Sequence, residues 1–204
     1  MNEATILGPD GQPRCRWCAA APEFLDYHDL EWGQPVADDT RLFEKLCLEG
    51  FQSGLSWRTI LAKRENFRRA FDHFDFNRIT RYTAKEVVRL LADSGIVWHR
   101  GKIEAVINNN NARKALELID REGSLAAFVW RYETPPDPAL KPQTQSTSPA
   151  SLAMSKELKK RGWKFVGPTT VYAFMQAMGL VNDHAEGCVI RTKVEEARTR
   201  FVRP

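Results

Sequence analysis

From Asp39 onward the apolar residues fall at helical spacing. Leu42, Phe43, Leu46, Cys47 and Gly50 share one face, and Asp39 or Thr40 stands where a cap is needed. Gly54 interrupts the pattern. Ser56 is placed to cap a second helix that turns Trp57, Ile60, Leu61, Phe67 and Phe71 inward. Thr83 and Glu86 form a capping-box pair ahead of Val87, Val88, Leu90 and Leu91. After Gly95, the spacing resumes through Ile103, Val106, Ile107 and Leu116, and Leu125, Phe128 and Val129 mark a shorter helix. Ser148 and Pro149 supply a cap and a first-turn proline for a helix that carries Leu152 and Leu158 and stops at Gly162. Pro168 opens the last clear helix, lined by Val171, Tyr172, Phe174, Met175 and Met178 and ended by Gly179. No segment alternates convincingly at a period of two. The pattern predicts an all-α fold, a compact antiparallel bundle of about eight helices.

With 204 residues the chain suits one domain rather than two. Residues 1–13 are polar and broken by Gly and Pro, and read as a flexible tail; the domain is expected over 14–190. Residues 134–150 are rich in Pro, Ser, Thr and Gln. They read as an internal loop, because too little chain follows them to fold alone. Residues 191–204 carry no motif and read as a second tail. No apolar run approaches the roughly 18 residues of a membrane span, and the first residues lack an apolar signal core. A monomeric cytoplasmic protein with no membrane partner is expected. The net charge of +4 permits nucleic-acid binding without requiring it.

In a reducing compartment the four cysteines are better read as buried thiols or metal ligands than as disulfides. His184 and Cys188 are four residues apart, a spacing that faces two ligands to one ion. Cys15, Cys18 and His28 lie near the other end, so two donors from each terminus would complete a closed tetrahedral zinc site. The Cys15–Cys18 pair has the look of a zinc knuckle, so Cys18 competes with His28 as a ligand. Glu49 lies seven residues after Leu42 and three after Leu46, at the edge of the inward face, with Arg41, Glu44 and Lys45 assigned to the opposite side. A half-buried carboxylate there needs a partner, a proton or a ligand. The loop that follows, Gly50 to Trp57, is hinged by glycine, apolar at its tip and aromatic at its end. A carboxylate among aromatic rings suits a planar cation.

Lys159 to Thr170 joins two helices through a glycine turn. A helix start there exposes backbone N–H groups, at Gly167 and Thr169, and Lys160 and Lys164 add attraction to phosphate. The arrangement resembles a helix-hairpin-helix DNA-binding element. His99–Lys102 and the Lys63, Arg64, Arg68 and Arg69 cluster could extend the surface.

These segments together resemble the DNA-3-methyladenine glycosylase I family of the helix-hairpin-helix superfamily. The resemblance is carried by Tyr27-His28-Asp29, Glu31-Trp32-Gly33, Leu48-Glu49-Gly50, Gly54-Leu55-Ser56-Trp57, Lys63-Arg64-Glu65-Asn66, His99 to Ile103, Lys159 to Thr170, and Phe174 to His184, and spans roughly residues 14–188. It implies a structural zinc held by Cys15, His28, His184 and Cys188, which decides against Cys18. It places the base-contacting acid, and the catalytic role, on Glu49, the pocket aromatics on Trp17, Tyr27 and Trp57, and the tip that approaches the gap left by a flipped nucleotide on Leu55. One pocket-region tyrosine of the family is Phe24 here, which removes a hydroxyl. Asp183 is read as structural. The implied activity is monofunctional: hydrolysis of the N-glycosidic bond of 3-methyladenine in alkylated double-stranded DNA, releasing the base and leaving an abasic site. On this reading Glu49 faces a ligand rather than the protein, so Glu49→Gln is expected to keep or raise stability. Three other readings compete: a zinc-stabilised DNA-binding module without chemistry, a zinc base deaminase built on Cys15, Cys18, His184 and Glu186, and a metal-independent helical scaffold. The Glu49 pocket speaks against the first, and the reversed chain order and all-helical pattern speak against the second.

Overall fold

The structure, a computed structural model, describes residues 4–107, 111–135 and 140–204. Residues 1–3 of the expected tail and 136–139 of the expected internal loop lie outside the described residues. A short hairpin, β1 (Thr5–Leu7) and β2 (Pro13–Cys15), leads through a 3-10 turn to α1 (Glu23–Leu30) and α2 (Asp39–Gln52). Then come α3 (Trp57–Ala62), α4 (Arg64–Ala70), α5 (Phe76–Ile79), α6 (Ala84–Leu91), α7 (Arg100–Val106), α8 (Asn111–Glu122) and α9 (Leu125–Trp130). The last three are α10 (Pro149–Lys160), α11 (Pro168–Ala177) and α12 (Val189–Arg200). The fold is mostly helical, as the periodicity predicts, but the described residues form twelve helices rather than about eight. Several are shorter than two turns. The helix expected from Ser56 to Phe71 breaks at Lys63, which ends α3 and precedes α4.

The local start signals work as chemistry. Ser56 accepts from the Thr59 N–H, Thr83 and Glu86 close a reciprocal capping box, and Ser148 caps α10 ahead of Pro149. At α2 the cap is Asp38, which accepts from the Arg41 N–H. Asp39 instead accepts from Ala126 N at 2.9 Å and so ties α2 to the start of α9. α2 runs through the middle of the molecule, against α3, α7, α8, α9 and α11. It is buried all round from Leu42 to Phe51, including Glu44, Lys45 and Glu49. The assignment of Glu44 and Lys45 to an outer face is therefore corrected: a helix packed on all sides has no solvent side.

Both expected tails are also corrected. Thr5 pairs with Cys15, Ile6 with Arg14 and Leu7 with Pro13; strands of three residues are too short for alternation to register. Buried Arg14 fastens the hairpin by donating to Asp10 and to Asp29 at 2.9 Å. At the other end α12 occupies most of 191–204. Ile190 and Val194 are buried, Arg198 meets Glu133 at 2.8 Å, and the Phe201 ring lies 4.5 Å from Trp130. Its apolar residues are few among many charges, so no stripe marks it in the sequence. Among the described residues no helix is long and apolar enough to cross a membrane.

The link between α1 and α2 crosses the end of α11. Gly33 N–H donates to the Ala177 carbonyl at 3.3 Å. Gly179, at φ +83°, leaves no room for a side chain: a Cβ there would sit 2.6 Å from backbone atoms of Pro35. Gly187 has the same φ of +83° but open space around it. Gly187→Ala should cost about 1 kcal/mol from the backbone alone, and Gly179→Ala several-fold more. Urea denaturation compares them, and equal losses would show that the contact with Pro35 is slack.

Candidate functional site

Three helices converge on one small pocket. α2 contributes Lys45 and Glu49, α1 contributes Tyr27 and α3 contributes Trp57. Residues four apart on a helix differ by about 40° in direction, so an inward Glu49 brings Lys45 with it. Their charged groups meet at 2.7 Å, both buried. The Lys45 ammonium also donates to the Tyr27 hydroxyl at 2.8 Å. It lies 3.4 Å from the centroid of the Trp57 ring and 5.1 Å from that of Tyr27. The two rings are 5.4 Å apart and tilted by 42°. Trp17 reaches the group through Tyr27, at 6.3 Å, and packs edge-on against Phe24 at 5.8 Å. The structure thus gathers Glu49, Tyr27 and Trp57 around Lys45, which sequence reasoning missed. The four-residue spacing to Glu49 was the signal that could have found it.

The electrostatics of the pocket follow from its burial. Desolvation lowers the Lys45 pKa, while the Glu49 carboxylate raises it. Burial, then the charge of Glu49, pushes the Tyr27 phenol well above its ordinary range. Trp57 Nε1 is buried with no hydrogen-bond partner among the described residues, an uncommon state for a ring donor. A narrow cleft adjoins this group, lined by Tyr27, Lys45, Leu48 and Trp57 and by charged Glu31, Arg41, Glu44 and Arg64; Glu49 lies behind Lys45 and is not part of its wall. The cleft charges are mutually engaged: Arg64 meets Glu31 at 2.6 Å, and Arg68 meets Glu44 at 2.7 Å.

Beside this pocket, Cys15 at the end of β2, His28 on α1, and His184 and Cys188 ahead of α12 place their donor atoms within 4.8 Å of one another. All four are buried. His28 Nε2 and His184 Nδ1 are 3.2 Å apart, and the sulfur–nitrogen separations recorded are 3.6, 3.6 and 3.7 Å. A tetrahedral zinc ion with ordinary bond lengths needs edges of about 3.3 Å between nitrogens and about 3.6 Å between sulfur and nitrogen. The outer ring nitrogens are spoken for. His28 Nδ1 donates to Asp29 at 2.6 Å, and His184 Nε2 donates to the Trp32 carbonyl at 3.0 Å. The two inner nitrogens therefore face each other, and with both imidazoles neutral they offer two lone pairs to one cation. A hydrogen bond from Cys15, supported by His184 and His28, holds the Cys188 thiol far below its usual range. The donor set fits the expected ion. Cys18 is buried but stands outside the set.

The cluster also fixes the pocket. Cys15 is two residues from Trp17 and His28 adjoins Tyr27. The Trp17 ring packs edge-on against His28 at 5.2 Å and Trp32 at 5.1 Å.

The turn between α10 and α11 is firmly seated. Trp163 is buried, the Lys164 N–H donates to Asn111 at 2.8 Å, and Ser155 donates to the Val166 carbonyl at 2.6 Å. Lys160, Lys164 and Thr169 are exposed, and Gly167 is half-exposed at the start of α11. Phe165 packs against Gly50, where a Cβ would come within 3.2 Å of it, and edge-on against His99 at 6.0 Å. Leu55 stands 42% exposed at the tip of the turn after α2. Lys102, expected in a basic surface cluster, is buried instead and donates to the Phe51 and Ser53 carbonyls, capping α2. The hairpin turn, the Leu55 turn and the end of the helix that carries Glu49 are thereby locked together. Asp183 lies apart from Glu49: it accepts from Gln143 N at 2.8 Å and Gln176 at 2.6 Å, and burial raises its pKa.

Comparison with known proteins agrees on one family. Residues 17–192 match the family described as methyladenine glycosylase. The chain is 48% identical over 179 residues to DNA-3-methyladenine glycosylase 1 of Escherichia coli K12, covering 86% of this chain and 95% of that protein. It superposes with a TM-score of 0.79 on a crystal structure of 3-methyladenine DNA glycosylase I at 48% identity, covering 86% of this chain and 98% of the other. A structure that describes 3-methyladenine recognition by the Staphylococcus aureus enzyme gives a TM-score of 0.78 at 37% identity, covering 84% and 92%.

The ion pair reverses one expectation from sequence. Glu49→Gln leaves a buried ammonium unpaired, so it should destabilise the fold by about 3–5 kcal/mol rather than keep or raise its stability. Neutralising both partners, as in Lys45→Met with Glu49→Gln, should restore most of that loss. Denaturant titration of the two variants checks this, and a Glu49→Gln protein as stable as the parent would mean that the pair carries no weight.

Proposed function

The chain belongs to the methyladenine glycosylase family, and from that premise we propose that it excises 3-methyladenine from alkylated double-stranded DNA through the Glu49 pocket. One observation carries the assignment of the pocket: Glu49, Tyr27 and Trp57 already enclose a cation, the Lys45 ammonium, by charge, hydrogen bond and ring face. A purine alkylated at N3 is likewise a cation, planar enough to stack on Trp57. Its positive charge also makes it a good leaving group, so the protein need supply less than for a neutral base. Flipped out of the helix, the base stacks on the aromatic rings while Glu49 balances its charge and accepts from its edge. Trp57 Nε1 offers a donor that the protein leaves unused. Water then adds to C1′ as the bond to the base breaks, and the electron pair leaves with the base, which becomes neutral. The product strand keeps an abasic site.

The α10–turn–α11 unit is the helix-hairpin-helix element in this reading. Lys160, Lys164, Gly167 and Thr169 face the phosphates, and Leu55 enters the gap left by the flipped nucleotide. Its support is the packing of Phe165 on Gly50, which sets the hairpin beside the helix of Glu49.

Cys15, His28, His184 and Cys188 hold one structural zinc. Bound there, the ion supplies a closed tetrahedral crosslink and no reacting group. The chain's own residues do the rest: Asp29 and the Trp32 carbonyl orient the two imidazoles, and Arg14 holds Asp29. Cys188→Ala should abolish zinc binding and lower the melting temperature, while Cys18→Ala keeps one zinc per chain. Metal analysis of both proteins decides it; full zinc in Cys188→Ala removes the assignment.

The function itself is tested by incubating the protein with methylated DNA and identifying the released base by chromatography. The parent should release 3-methyladenine. Glu49→Gln, assayed at equal concentration of folded protein, should be slower by about tenfold or more, the scale of one charged hydrogen bond in a dry pocket. Release at the parental rate would move base recognition away from Glu49.

A further inference from the structure

The base pocket contains a cation of its own, and that has a consequence for catalysis that rests on the reading above. Lys45 is not a solvated surface lysine. Its side chain is 7% exposed, its ammonium lies 2.7 Å from Glu49, and the Trp57 ring is 3.4 Å away. The carboxylate and the ring that would bind a cationic base are those that now bind Lys45. Both claimants cannot make the same contacts at once. The ammonium is tethered by a flexible four-carbon stem, so it can leave its seat without any movement of α2. The cleft onto which it opens carries both signs of charge, Glu31 and Glu44 with Arg41 and Arg64, so a displaced ammonium enters a polar wall rather than apolar core.

We propose that Lys45 is an internal competitor for the base site, yielding to the cationic base of the substrate and displacing the neutral base after excision. The charge changes in the reaction make this directional. Before cleavage the methylated base is positive and matches the ammonium as a partner for Glu49. Cleavage sends the electron pair of the C1′–N bond onto the base, while the hydroxyl of water goes to C1′ and a proton is released. The base is then neutral and loses its charge pairing with Glu49, while Lys45 keeps its own. The exchange of cation for base therefore costs little on entry and favours exit. Burial alone would disfavour a charged lysine here, and Glu49 is the group that opposes this effect.

The test uses the full chain and free 3-methyladenine. Removing the competitor in Lys45→Met and Lys45→Gln should tighten binding of the free base, read from Trp fluorescence and from inhibition of excision, by about tenfold, the scale of one charged contact in a dry pocket. Equal or weaker binding in folded variants would overturn the proposal, weaker binding by showing that Lys45 holds the base instead of opposing it. A second measurement needs no variant. In the free parent protein, the Lys45 ε-methylene protons should be shifted upfield by the Trp57 ring, and saturation with 3-methyladenine should return them to the position of an exposed lysine. Unchanged Lys45 signals in a protein that binds the base would overturn the competitor while leaving the pocket in place. A parent that fails to bind the free base at all would overturn both.

Discussion

The architecture depends on one junction: two donors from each end of the chain meet at a single buried point, with Cys15 and His184 169 residues apart. Bringing segments so distant in sequence to one point is entropically costly, and the surrounding packing must offset it. The junction also places α1, because His28 is one of the four donors and neighbouring Tyr27 faces the pocket. Trp17 is carried in with Cys15 and packs on His28. The cluster around Lys45 is thus assembled partly from elements that are too short to be stable alone. The 3-10 turn and hairpin before α1 gain their position from Arg14, Asp29 and this junction.

The other half of the site is set by α2. A helix buried on every side must satisfy each polar group it carries. Glu44 does so with Arg68, and Lys45 and Glu49 do so with each other and with Tyr27. In the proposed function the Glu49 carboxylate that satisfies Lys45 also receives the alkylated base. Stability and recognition draw on the same carboxylate. Replacing Glu49 therefore disturbs both, and replacing both partners separates them.

Much of this was legible in the sequence, and the parts that were not share a cause. Ser56, Thr83 with Glu86, and Ser148 with Pro149 start their helices as read, because capping is decided within a few residues. Glu49 beside the loop that ends in Trp57 was read from the residues; Tyr27 was added by the family resemblance, and so was the choice of His28 over Cys18, which spacing alone left open. Lys45 was misplaced because amphipathic phase assumes a solvent face, and α2 has none. The N-terminal hairpin and α12 were missed for lack of pattern: three-residue strands show no alternation, and α12 rests on Ile190, Val194 and a buried Arg198 paired with Glu133. Lys102 read as surface charge because nothing local shows that it caps a helix 50 residues upstream in sequence, through the carbonyls of Phe51 and Ser53 — separations of 51 and 49 residues.

In the proposed function Glu49 is the anion shared in turn by Lys45 and the alkylated base. A crystal structure of the protein with 3-methyladenine bound tests it most directly. At saturating 3-methyladenine the base should stack on Trp57 with its edge within hydrogen-bond distance of the Glu49 carboxylate, and the Lys45 ammonium should be gone from that carboxylate. A base bound elsewhere, or one bound beside an intact Lys45–Glu49 pair, would contradict it.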